Sequence, residues 1–530
     1  MNASYDIAVV GSGFGGSLLA MVAHRLGRSV ILLEKGRHPR FAIGESSTPL
    51  SNILLENLTT RYNLPNLTPL SKWGSWQQAY PQVACGLKRG FTFYHHTLGV
   101  PRAPDPDHLR ELLVAASPHD GIADTHWFRE EVDHLFVQET QKIGVKYLDE
   151  VTLQNISEPE EEIALAGRRK NEDIHIRAKF LVDATGPRGF LHHVLDLHES
   201  ELPAFPSTQA LFSHFTGVAS IEKRIEERIE NQSLGHAAEC PPYPVDDAAV
   251  HHVFDGGWIY VLKFNNGITS AGVAATDELA AWLQLSEGAP AWQRLLDLIP
   301  ALKEQFANAR AIRTFTHMPR VSFRSSTIAG KRWALIPSAA GFVDPLLSTG
   351  FPLTLLGVSR LAQIIEHDWN TPQFSANLQS YAIKTGDELL AAARLIANLY
   401  ATMNRFPLFT SLSLLYFAAA NFAETARRLG KPHLAASFLL HDHESFGPAM
   451  LRCLEHARNA HTPAEISDVA REIQQAIEPI NIAGLGNPQR KNWYPVDADD
   501  LLNSAAKVES TKEEITQLLK ACGFWKTATA

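Results

Sequence analysis

Six residues near the start of the chain have the types and spacing of a phosphate-binding turn. They are Gly11-Ser-Gly13-Phe-Gly15-Gly16, and they follow the apolar run from Asp6 to Val10. Gly11 permits a tight turn, Gly13 lets a diphosphate approach the backbone, and Gly16 lets a helix pack close to a strand. The N-terminus of a helix that begins here would supply N–H donors to the phosphates.

The elements around this turn must hold it in place. Residues after Gly16 have helical composition as far as Leu26, and a second apolar run from Val30 to Leu33 ends at Glu34. This order predicts a strand, a glycine turn, a helix and a second strand. Glu34 stands 23 residues after Gly11, where a carboxylate accepts hydrogen bonds from ribose hydroxyls. The pattern therefore predicts a dinucleotide site.

Two later segments repeat the pattern of an apolar strand that closes on a glycine turn. They are Phe180 to Arg188 and Trp333 to Gly350. The stretch from Arg37 to about Tyr80 is irregular and punctuated by prolines, whereas a nicotinamide dehydrogenase would continue with further strand–helix–strand units. We therefore expect an interrupted nucleotide-binding unit in which three dispersed segments build one site.

The composition is that of an ordinary folded protein and excludes several classes. Of the 530 residues, 45% are apolar and 20% are charged, and the net charge is −9. Mild acidity without a basic patch predicts no nucleic-acid partner. The four cysteines are widely spaced and the paired histidines are adjacent neighbours, so we predict neither a disulfide framework nor a metal site. The start of the chain lacks the pattern of a secretory signal, which predicts a cytoplasmic location.

Four motifs, taken in order, resemble those of the flavin-dependent halogenase family, within the larger group of FAD-dependent aromatic monooxygenases and related reductases. They are the glycine motif at 11–16, HPRFAIGESSTP at 38–49, LVDATG at 181–186 and SAAGFVDP at 338–345. The resemblance covers about residues 5–365 and the tail only loosely. It implies an α/β fold in which a Rossmann-like FAD-binding domain is interleaved with a β-sheet substrate domain and followed by a helical C-terminal region.

The resemblance implies FAD as the cofactor. It places the diphosphate on the glycine motif, the adenosine ribose beside Glu34 and the isoalloxazine ring beside 341–350, where a helix predicted to begin near Phe351 points its N-terminus at the ring. Ser338 stands where related flavoenzymes have an Asp that binds the ribityl chain. The predicted cofactor contacts are Gly11, Gly13, Phe14, Gly15, Gly16, Glu34, Lys35, Glu45, Ser46, Gly186, Ser338, Gly341, Asp344 and Gly350.

Lys88 is the predicted catalytic residue, because the run from Gly86 to Phe93 resembles the family segment whose lysine interacts with hypohalous acid. In a continuous strand Lys88, Gly90 and Thr92 would share one face, with Phe91 on the other, so Gly90 would leave room for a ligand. A lysine that forms a haloamine needs a neutral amine, which burial favours by lowering its pKa. A lysine that only donates a hydrogen bond can stay charged. The alternative reading is a solvated Lys-Arg pair.

Two departures from the family bear on the substrate. Leu347 stands where tryptophan-type halogenases have a Glu, which favours an electron-rich phenol or pyrrole that needs less help from a base. The family's WxWxIP segment reads Trp258-Ile-Tyr260-Val-Leu262-Lys263 here, and its alternate side chains form either an aromatic wall or simply core. The predicted substrate and halide contacts are Trp258, Tyr260, Ser348, Thr349 and Gly350.

The predicted domains are interleaved along the chain. The FAD-binding domain takes residues 1–110, 111–198 and 311–365, the substrate-side sheet domain takes 199–310, and the helical C-terminal region takes 366–530. Helices are expected around Ile221 to Ile229, over Asp387 to Asn404 and Ser413 to Leu429, and from a capping box at Thr511. The apolar stretch from Phe406 to Ala423 is predicted to be a buried helix rather than a membrane contact.

The leading hypothesis is an FAD-dependent halogenase that modifies a small electron-rich aromatic with reduced FAD, O2 and halide. Its expected partners are that aromatic, either free or tethered to a carrier, the halide, and a separate flavin reductase. One alternative is an NAD(P)H-dependent hydroxylase, which the altered WxWxIP segment favours. A second alternative is a flavin-binding partner protein with little turnover, whose helical C-terminus docks a carrier or target protein.

Overall fold

The computed structural model describes residues 2–102, 105–158, 161–202, 205–221 and 240–524. Within these ranges the chain forms two large sheets and a helical region that follows them. The strands are β1 (Asn2–Val10), β2 (Val30–Leu33), β3 (Cys85–Lys88), β4 (Gly90–His95), β5 (Glu111–Ala115), β6 (Asp124–Trp127), β7 (Lys146–Leu148), β8 (Val151–Ser157), β9 (Ile163–Arg169), β10 (Glu172–Asp183), β11 (Thr208–Thr216), β12 (Ala249–Phe254), β13 (Gly257–Lys263), β14 (Thr269–Thr276), β15 (Arg310–Ala311), β16 (Thr316–Met318), β17 (Phe323–Arg324), β18 (Trp333–Leu335), β19 (Gly341–Phe342) and β20 (Trp493–Tyr494).

The α-helices surround these sheets and continue beyond them. They are α1 (Phe14–Arg25), α2 (Pro49–Arg61), α3 (Trp73–Ala79), α4 (Arg129–Lys142), α5 (Phe190–Val194), α6 (Asp277–Leu283), α7 (Ala289–Leu298), α8 (Pro300–Gln305), α9 (Pro337–Ala340), α10 (Gly350–His367), α11 (Gln373–Thr402), α12 (Phe406–Arg428), α13 (Phe446–Asn459), α14 (Pro463–Ile477), α15 (Ala498–Asn503) and α16 (Lys512–Ala521).

The first sheet confirms the predicted Rossmann-like unit and its interruption. Its order is β7-β2-β1-β10-β9-β8, and β18 pairs with the end of β10. The strands β7, β2, β1, β10 and β18 run parallel, with Val9 opposite Leu32 and Val182. Because parallel strands bring their carboxyl ends to one edge, the turns after β1, β2, β10 and β18 converge there. Three distant stretches of chain therefore meet at one site.

The second sheet has the order β15-β11-β14-β13-β12-β4-β5-β20, with β16 beside β11. One face packs against α6, α7 and α8, where Ile259 and Val273 join Trp292 in a separate apolar cluster. The sheet also takes in β4, β5, β16 and β20, which lie outside the range 199–310 predicted for it. Strand β4 belongs there because it pairs with β12, with Thr92 opposite Val250, and so continues the sheet to β5.

The helical region covers the other side of the second sheet. Helix α12 contains the apolar stretch from Phe406 to Ala423, and 78% of its most apolar 18-residue window is buried. It is the one helix in the described ranges long and apolar enough to cross a membrane, but Phe409 packs on Phe93 of β4 at 5.8 Å. Its side chains are thus largely covered by protein.

Other expected helices have the predicted type with altered limits. Helix α11 begins at Gln373, well before the expected Asp387, and α16 begins directly after Thr511, the N-cap of the predicted capping box. In that box Thr511 Oγ1 accepts from the N–H of Glu514 at 3.2 Å, and the carboxylate of Glu514 accepts from the N–H of Thr511 at 2.9 Å. The expected helix at Ile221 to Ile229 lies outside the described residues apart from Ile221.

Candidate active site

A cavity of about 1100 Å³ is lined by the carboxyl edge of the first sheet and by the second sheet. Most of the predicted site residues line it, and two, Lys88 and Asp344, do not. The predicted residues that line the cavity are Gly11, Gly13, Phe14, Gly15, Gly16, Glu34, Lys35, Glu45, Ser46, Gly186, Trp258, Tyr260, Ser338, Gly341, Ser348, Thr349 and Gly350.

The glycine turn has the geometry of a diphosphate cradle. Gly11 has a φ of +99°, and a Cβ there would lie 2.4 Å from the carbonyl oxygen of Ala184. A Cβ on Gly16 would lie 2.0 Å from the carbonyl oxygen of Gly11, so neither position tolerates a side chain. Gly13 is different, because the nearest atom to its Cβ position is a guanidinium nitrogen of Arg129 at 3.5 Å. The backbone is therefore open to a ligand at Gly13 alone among these three glycines.

Two helix N-termini meet at this cavity. Helix α1 begins at Phe14 and α10 begins at Gly350, and neither has a side-chain cap on its first N–H groups. The ring of Phe14 stacks on that of Phe351 at 4.7 Å, which fixes the two ends side by side. Uncapped N–H groups and the positive ends of two helix dipoles suit an anionic ligand. The cradle thus fits the diphosphate of a dinucleotide.

Glu34 ends β2 at the cavity and is held there ionised. Its carboxylate accepts from the N–H and hydroxyl of Ser12 at 3.0 and 2.7 Å and from Arg40 at 3.0 Å, and the N–H of Gly36 donates to it at 2.8 Å. Burial opposes ionisation, but Arg40 and the N–H donors outweigh it and lower the pKa of Glu34 to about 2. Glu34 therefore presents a permanent negative charge where a ribose hydroxyl would donate.

Arg129, which the motif analysis did not find, fixes the wall beside the cradle. From the first turn of α4 its guanidinium donates to both oxygens of Asp133 at 2.9 and 2.8 Å, and to the carbonyl oxygen of Gly44 at 2.9 Å. It also lies over the ring of Phe14 at 5.0 Å. The only sequence signal was an Arg and an Asp four residues apart, which is equally typical of a surface helix pair.

The loop that carries the predicted halide contacts has an unusual backbone. Leu347 and Ser348 adopt left-handed φ values of +63° and +55°, a region that costs a non-glycine residue about 1–3 kcal/mol and persists only where packing enforces it. Leu347 is fully buried, so an apolar side chain in the core occupies the position of the missing Glu. The loop turns Ser348, Thr349 and Gly350 into the cavity wall directly before α10.

Asp344 was predicted to contact the cofactor, but both its oxygens are bonded within the protein. Oδ1 accepts from the N–H of Leu346 at 2.9 Å and Oδ2 accepts from the hydroxyl of Tyr400 at 2.9 Å. The indole N–H of Trp258 donates to the same hydroxyl at 3.1 Å. Burial raises the pKa of Asp344 to about 7. Asp344 is therefore a positioning residue that ties the loop to α11 and β13.

Lys88 is completely buried behind the cavity wall. Its Nζ donates to Ser46 Oγ at 2.9 Å and to the carbonyl oxygen of Ser47 at 2.5 Å. The segment around Ser46 pairs with β6, where the N–H of Ser47 donates to the carbonyl oxygen of Thr125, and β6 pairs with β3, which carries Lys88. Ser46 itself lines the cavity, so one hydroxyl separates the amine from that space.

The predicted face of Lys88 is wrong, because the strand is not continuous. It breaks at Arg89 between β3 and β4, where the N–H of Arg89 donates to the carbonyl oxygen of Asp247 at 2.6 Å. Lys88 Nζ consequently lies over the ring of Phe91 at 3.9 Å instead of facing away from it. Gly90 leaves no room for a ligand either, since a Cβ there would be 2.7 Å from the ring of Tyr243.

The charge of Lys88 is balanced across the small sheet. Burial lowers the pKa of Lys88, and Asp124, its cross-strand partner on β6, acts in the opposite direction. Burial raises the pKa of Asp124, which Asn52 offsets by donating to its carboxylate at 2.7 Å. The low pKa makes a neutral, nucleophilic amine accessible at Lys88 without excluding the charged form.

The part of the cavity wall formed by the second sheet is aromatic. Trp258, Tyr260 and Phe212 line it, with ring centroids of Trp258 and Tyr260 6.3 Å apart. Glu45 also lines it, and its carboxylate lies 2.9 Å from Nε2 of the buried His214. His251, which no sequence signal distinguished from its neighbour His252, lines the same wall. We call this part of the cavity the aromatic chamber.

The interleaved fold, the diphosphate cradle and the buried lysine beside an aromatic chamber define a dinucleotide-dependent oxidoreductase. No protein-family model matches the chain. It is 27% identical to the tetracycline 7-halogenase of Kitasatospora aureofaciens over 426 residues, covering 78% of this chain and 73% of that protein. It is 25% identical to the monodechloroaminopyrrolnitrin halogenase PrnC of Pseudomonas fluorescens over 392 residues, covering 73% of this chain and 66% of PrnC.

Solved structures show the same fold. The crystal structure of the halogenase PltM matches with a TM-score of 0.80 at 23% identity, covering 92% of this chain and 99% of PltM. The flavin-dependent brominase Bmp2 matches with a TM-score of 0.62 at 19% identity, covering 86% of this chain and all of the Bmp2 chain. The chain is thus similar to halogenases that include a flavin-dependent brominase, which agrees with the predicted resemblance, and PltM has been crystallised in complex with FAD.

Proposed function

We propose that this enzyme halogenates an electron-rich aromatic of the phenol or pyrrole type, with Lys88 as the residue that delivers the halogen. The observation that carries the proposal is the hydrogen bond from Lys88 Nζ to Ser46 Oγ in the cavity wall. A fully buried lysine is costly and rare, so its placement one hydroxyl away from the cavity supports a chemical role. The roles of the individual residues are part of this proposal.

The chemistry is divided between the start of α10 and the buried Lys88. When bound, FAD in its reduced form supplies the reaction with oxygen that converts halide to hypohalous acid. The open N–H groups at the start of α10, next to Ser348 and Thr349, suit a halide or the anionic flavin. Lys88 receives the hypohalous acid from the cavity wall at Ser46, to which its Nζ donates a hydrogen bond. Reduced FAD comes from a separate flavin reductase.

The side chains of the aromatic chamber favour a flat, electron-rich substrate. Trp258, Tyr260 and Phe212 offer ring faces and edges for stacking, and the loop position 347 carries no carboxylate to assist a less reactive ring. PltM has been crystallised with phloroglucinol and FAD, and another relative is a 1H-pyrrole-2-carbonyl-[peptidyl-carrier protein] brominase of Pseudoalteromonas luteoviolacea. Both a free phenol and a carrier-tethered pyrrole are therefore substrates to test.

The alternatives are less well supported. The relatives named above are halogenases, which does not favour direct hydroxylation with NAD(P)H or a binding role with little turnover. A cytoplasmic location stays part of the proposal, supported by the four cysteines, which are all free thiols.

One experiment tests the reaction type. Purified protein is loaded with FAD and given oxygen, bromide and phloroglucinol, first with NADPH alone and then with a flavin reductase and NADH. We expect brominated phloroglucinol only in the second arm, detected by mass spectrometry. Hydroxylated product with NADPH alone would contradict the proposal, and so would the absence of brominated product with phenols, free pyrroles and carrier-tethered pyrroles alike.

A further inference from the structure

His251 lies in the wall of the aromatic chamber, and backbone groups of Ala249 and Thr92 hydrogen-bond to its ring. It sits in the middle of β12, opposite Tyr260 on β13 and Phe93 on β4. Its Nδ1 lies 2.8 Å from the carbonyl oxygen of Ala249. A carbonyl oxygen only accepts, so Nδ1 carries the proton of the neutral ring and the distal Nε2 keeps its lone pair.

The imidazole ring is held rigidly by aromatic neighbours. It stacks on Phe93 at 4.5 Å and packs against Trp258 at 5.2 Å. Phe93 is in turn braced by Phe409 of α12 at 5.8 Å. The ring is only 2% exposed although it lines the cavity, so packing restricts its orientation.

The charges around His251 keep it neutral. Burial and the nearby Lys88 lower its pKa to about 3, and the same two causes act on the adjacent buried His126. Glu45, a carboxylate of the same chamber, is bonded through Oε1 to His214 at 2.9 Å, and its Oε2 has no hydrogen-bond partner among the described residues. Leu347 supplies no carboxylate from the opposite loop. A proton released inside the chamber thus meets a neutral imidazole beside the lysine.

We propose that Nε2 of His251 accepts the proton that the aromatic ring loses when it is halogenated. This inference rests on the proposed function. The carbon–halogen bond forms as the halogen–oxygen bond of hypohalous acid breaks, and hydroxide leaves beside the Lys88 ammonium. The ring then gives up its proton to Nε2, and the C–H electron pair restores aromaticity. The proton on His251 combines with the hydroxide as water, so no further oxidant or reductant is needed.

A weakly basic imidazole suits this step. A halogenated ring that still carries its proton is a strong acid, so even a base of low pKa accepts from it. A base of low pKa also releases the proton afterwards and returns to the neutral state. This role differs from activation of a phenol hydroxyl, which would need a stronger base.

The test compares His251 with His252, its neighbour on the same strand. His252 faces the other side of the sheet, where its Nδ1 lies 2.9 Å from Nε2 of His96, so His252→Gln is a matched control. His251→Phe keeps the aromatic stack without a basic nitrogen, and His251→Gln keeps a polar side chain. We expect both His251 variants to lose roughly 100-fold in the rate of phenol bromination, and His252→Gln to retain the wild-type rate.

Two further readouts separate a chemical role from a structural one. Hypobromous acid, measured with a thiol trap in the absence of phenol, should form at the wild-type rate in both His251 variants. The ratio of rates with phenol and ring-deuterated phenol should be near unity in the wild type and clearly larger in the variants, because proton loss becomes slow. Unchanged bromination, or an unchanged isotope ratio, would overturn the inference. A wild type that brominates no phenol would overturn the proposed function instead.

Discussion

The amine of Lys88 and the hydroxyl of Ser46 are 2.9 Å apart, and only Ser46 reaches the cavity. This pair joins two parts of the chain that are 42 residues apart, the loop between β2 and α2 and the short strand β3. The contact places the reactive nitrogen directly behind the wall of the chamber. It also defines the first variants to make.

Ser46→Ala should weaken both the fold and the reaction. It removes one of the two hydrogen-bond acceptors of a buried amine, which costs about 1–3 kcal/mol of the free energy of unfolding. It should also lower bromination with FAD still bound, because Nζ loses its anchor at the cavity wall. The matched control is Ser47→Ala, whose hydroxyl bonds to the carbonyl oxygen of Thr125 while its own carbonyl still serves Lys88. Urea unfolding measures the stability of both variants, and a product assay measures their activity. Equal activity of the two variants would contradict the proposed role of Ser46.

Gly13→Ala and Gly16→Ala should fail in different ways. A Cβ on Gly13 is 3.5 Å from its nearest neighbour, so Gly13→Ala should keep the wild-type unfolding temperature and lose affinity for FAD. A Cβ on Gly16 would lie 2.0 Å from the carbonyl oxygen of Gly11, so Gly16→Ala should lower the unfolding temperature even without flavin. Flavin absorbance after gel filtration measures FAD binding, and thermal unfolding of the apoprotein measures stability. Gly13→Ala protein that binds FAD normally would contradict the cradle.

Glu34 should make stability depend on pH in the acid range. Its pKa is about 4.5 when unfolded and about 2 when folded, so it stabilises the folded state fully above pH 4.5 and loses this contribution as the pH falls toward 2. The shift corresponds to about 3 kcal/mol. Glu34→Gln should therefore be less stable than the wild type by about that amount at pH 7, with a difference that shrinks below pH 4.5. A difference that does not change with pH would contradict the ionised, Arg40-paired state of Glu34.

The parts of the fold that sequence predicted best are those set by local chemistry. Gly11 and Gly16 indicate a turn because backbone conformation and close approach require glycine there, and Thr511 indicates a helix start through its own capping geometry. Family motifs then supplied the order of the dispersed segments. Most of the predicted cofactor contacts consequently line the cavity.

The predictions that were wrong concern features that depend on residues distant in the sequence. The orientation of Lys88 depends on the break at Arg89, which is stabilised by the carbonyl of Asp247, more than 150 positions away. Strand β4 belongs to the second sheet because it pairs with β12, and nothing within β4 encodes that partner. Arg129 and His251 were missed for the same reason, since their roles come from Gly44, Trp258 and other residues that only the fold brings near.

The most direct test of the account is bromination of phloroglucinol by Lys88→Met with FAD, a flavin reductase and bromide. Removing one member of a buried charged pair strains the other, so the double variant Lys88→Met with Asp124→Asn is measured beside it to preserve the fold. We predict that both variants bind FAD and form hypobromous acid, and that brominated product falls roughly 100-fold or more. Brominated product at the wild-type rate from folded, FAD-loaded Lys88→Met would contradict the account.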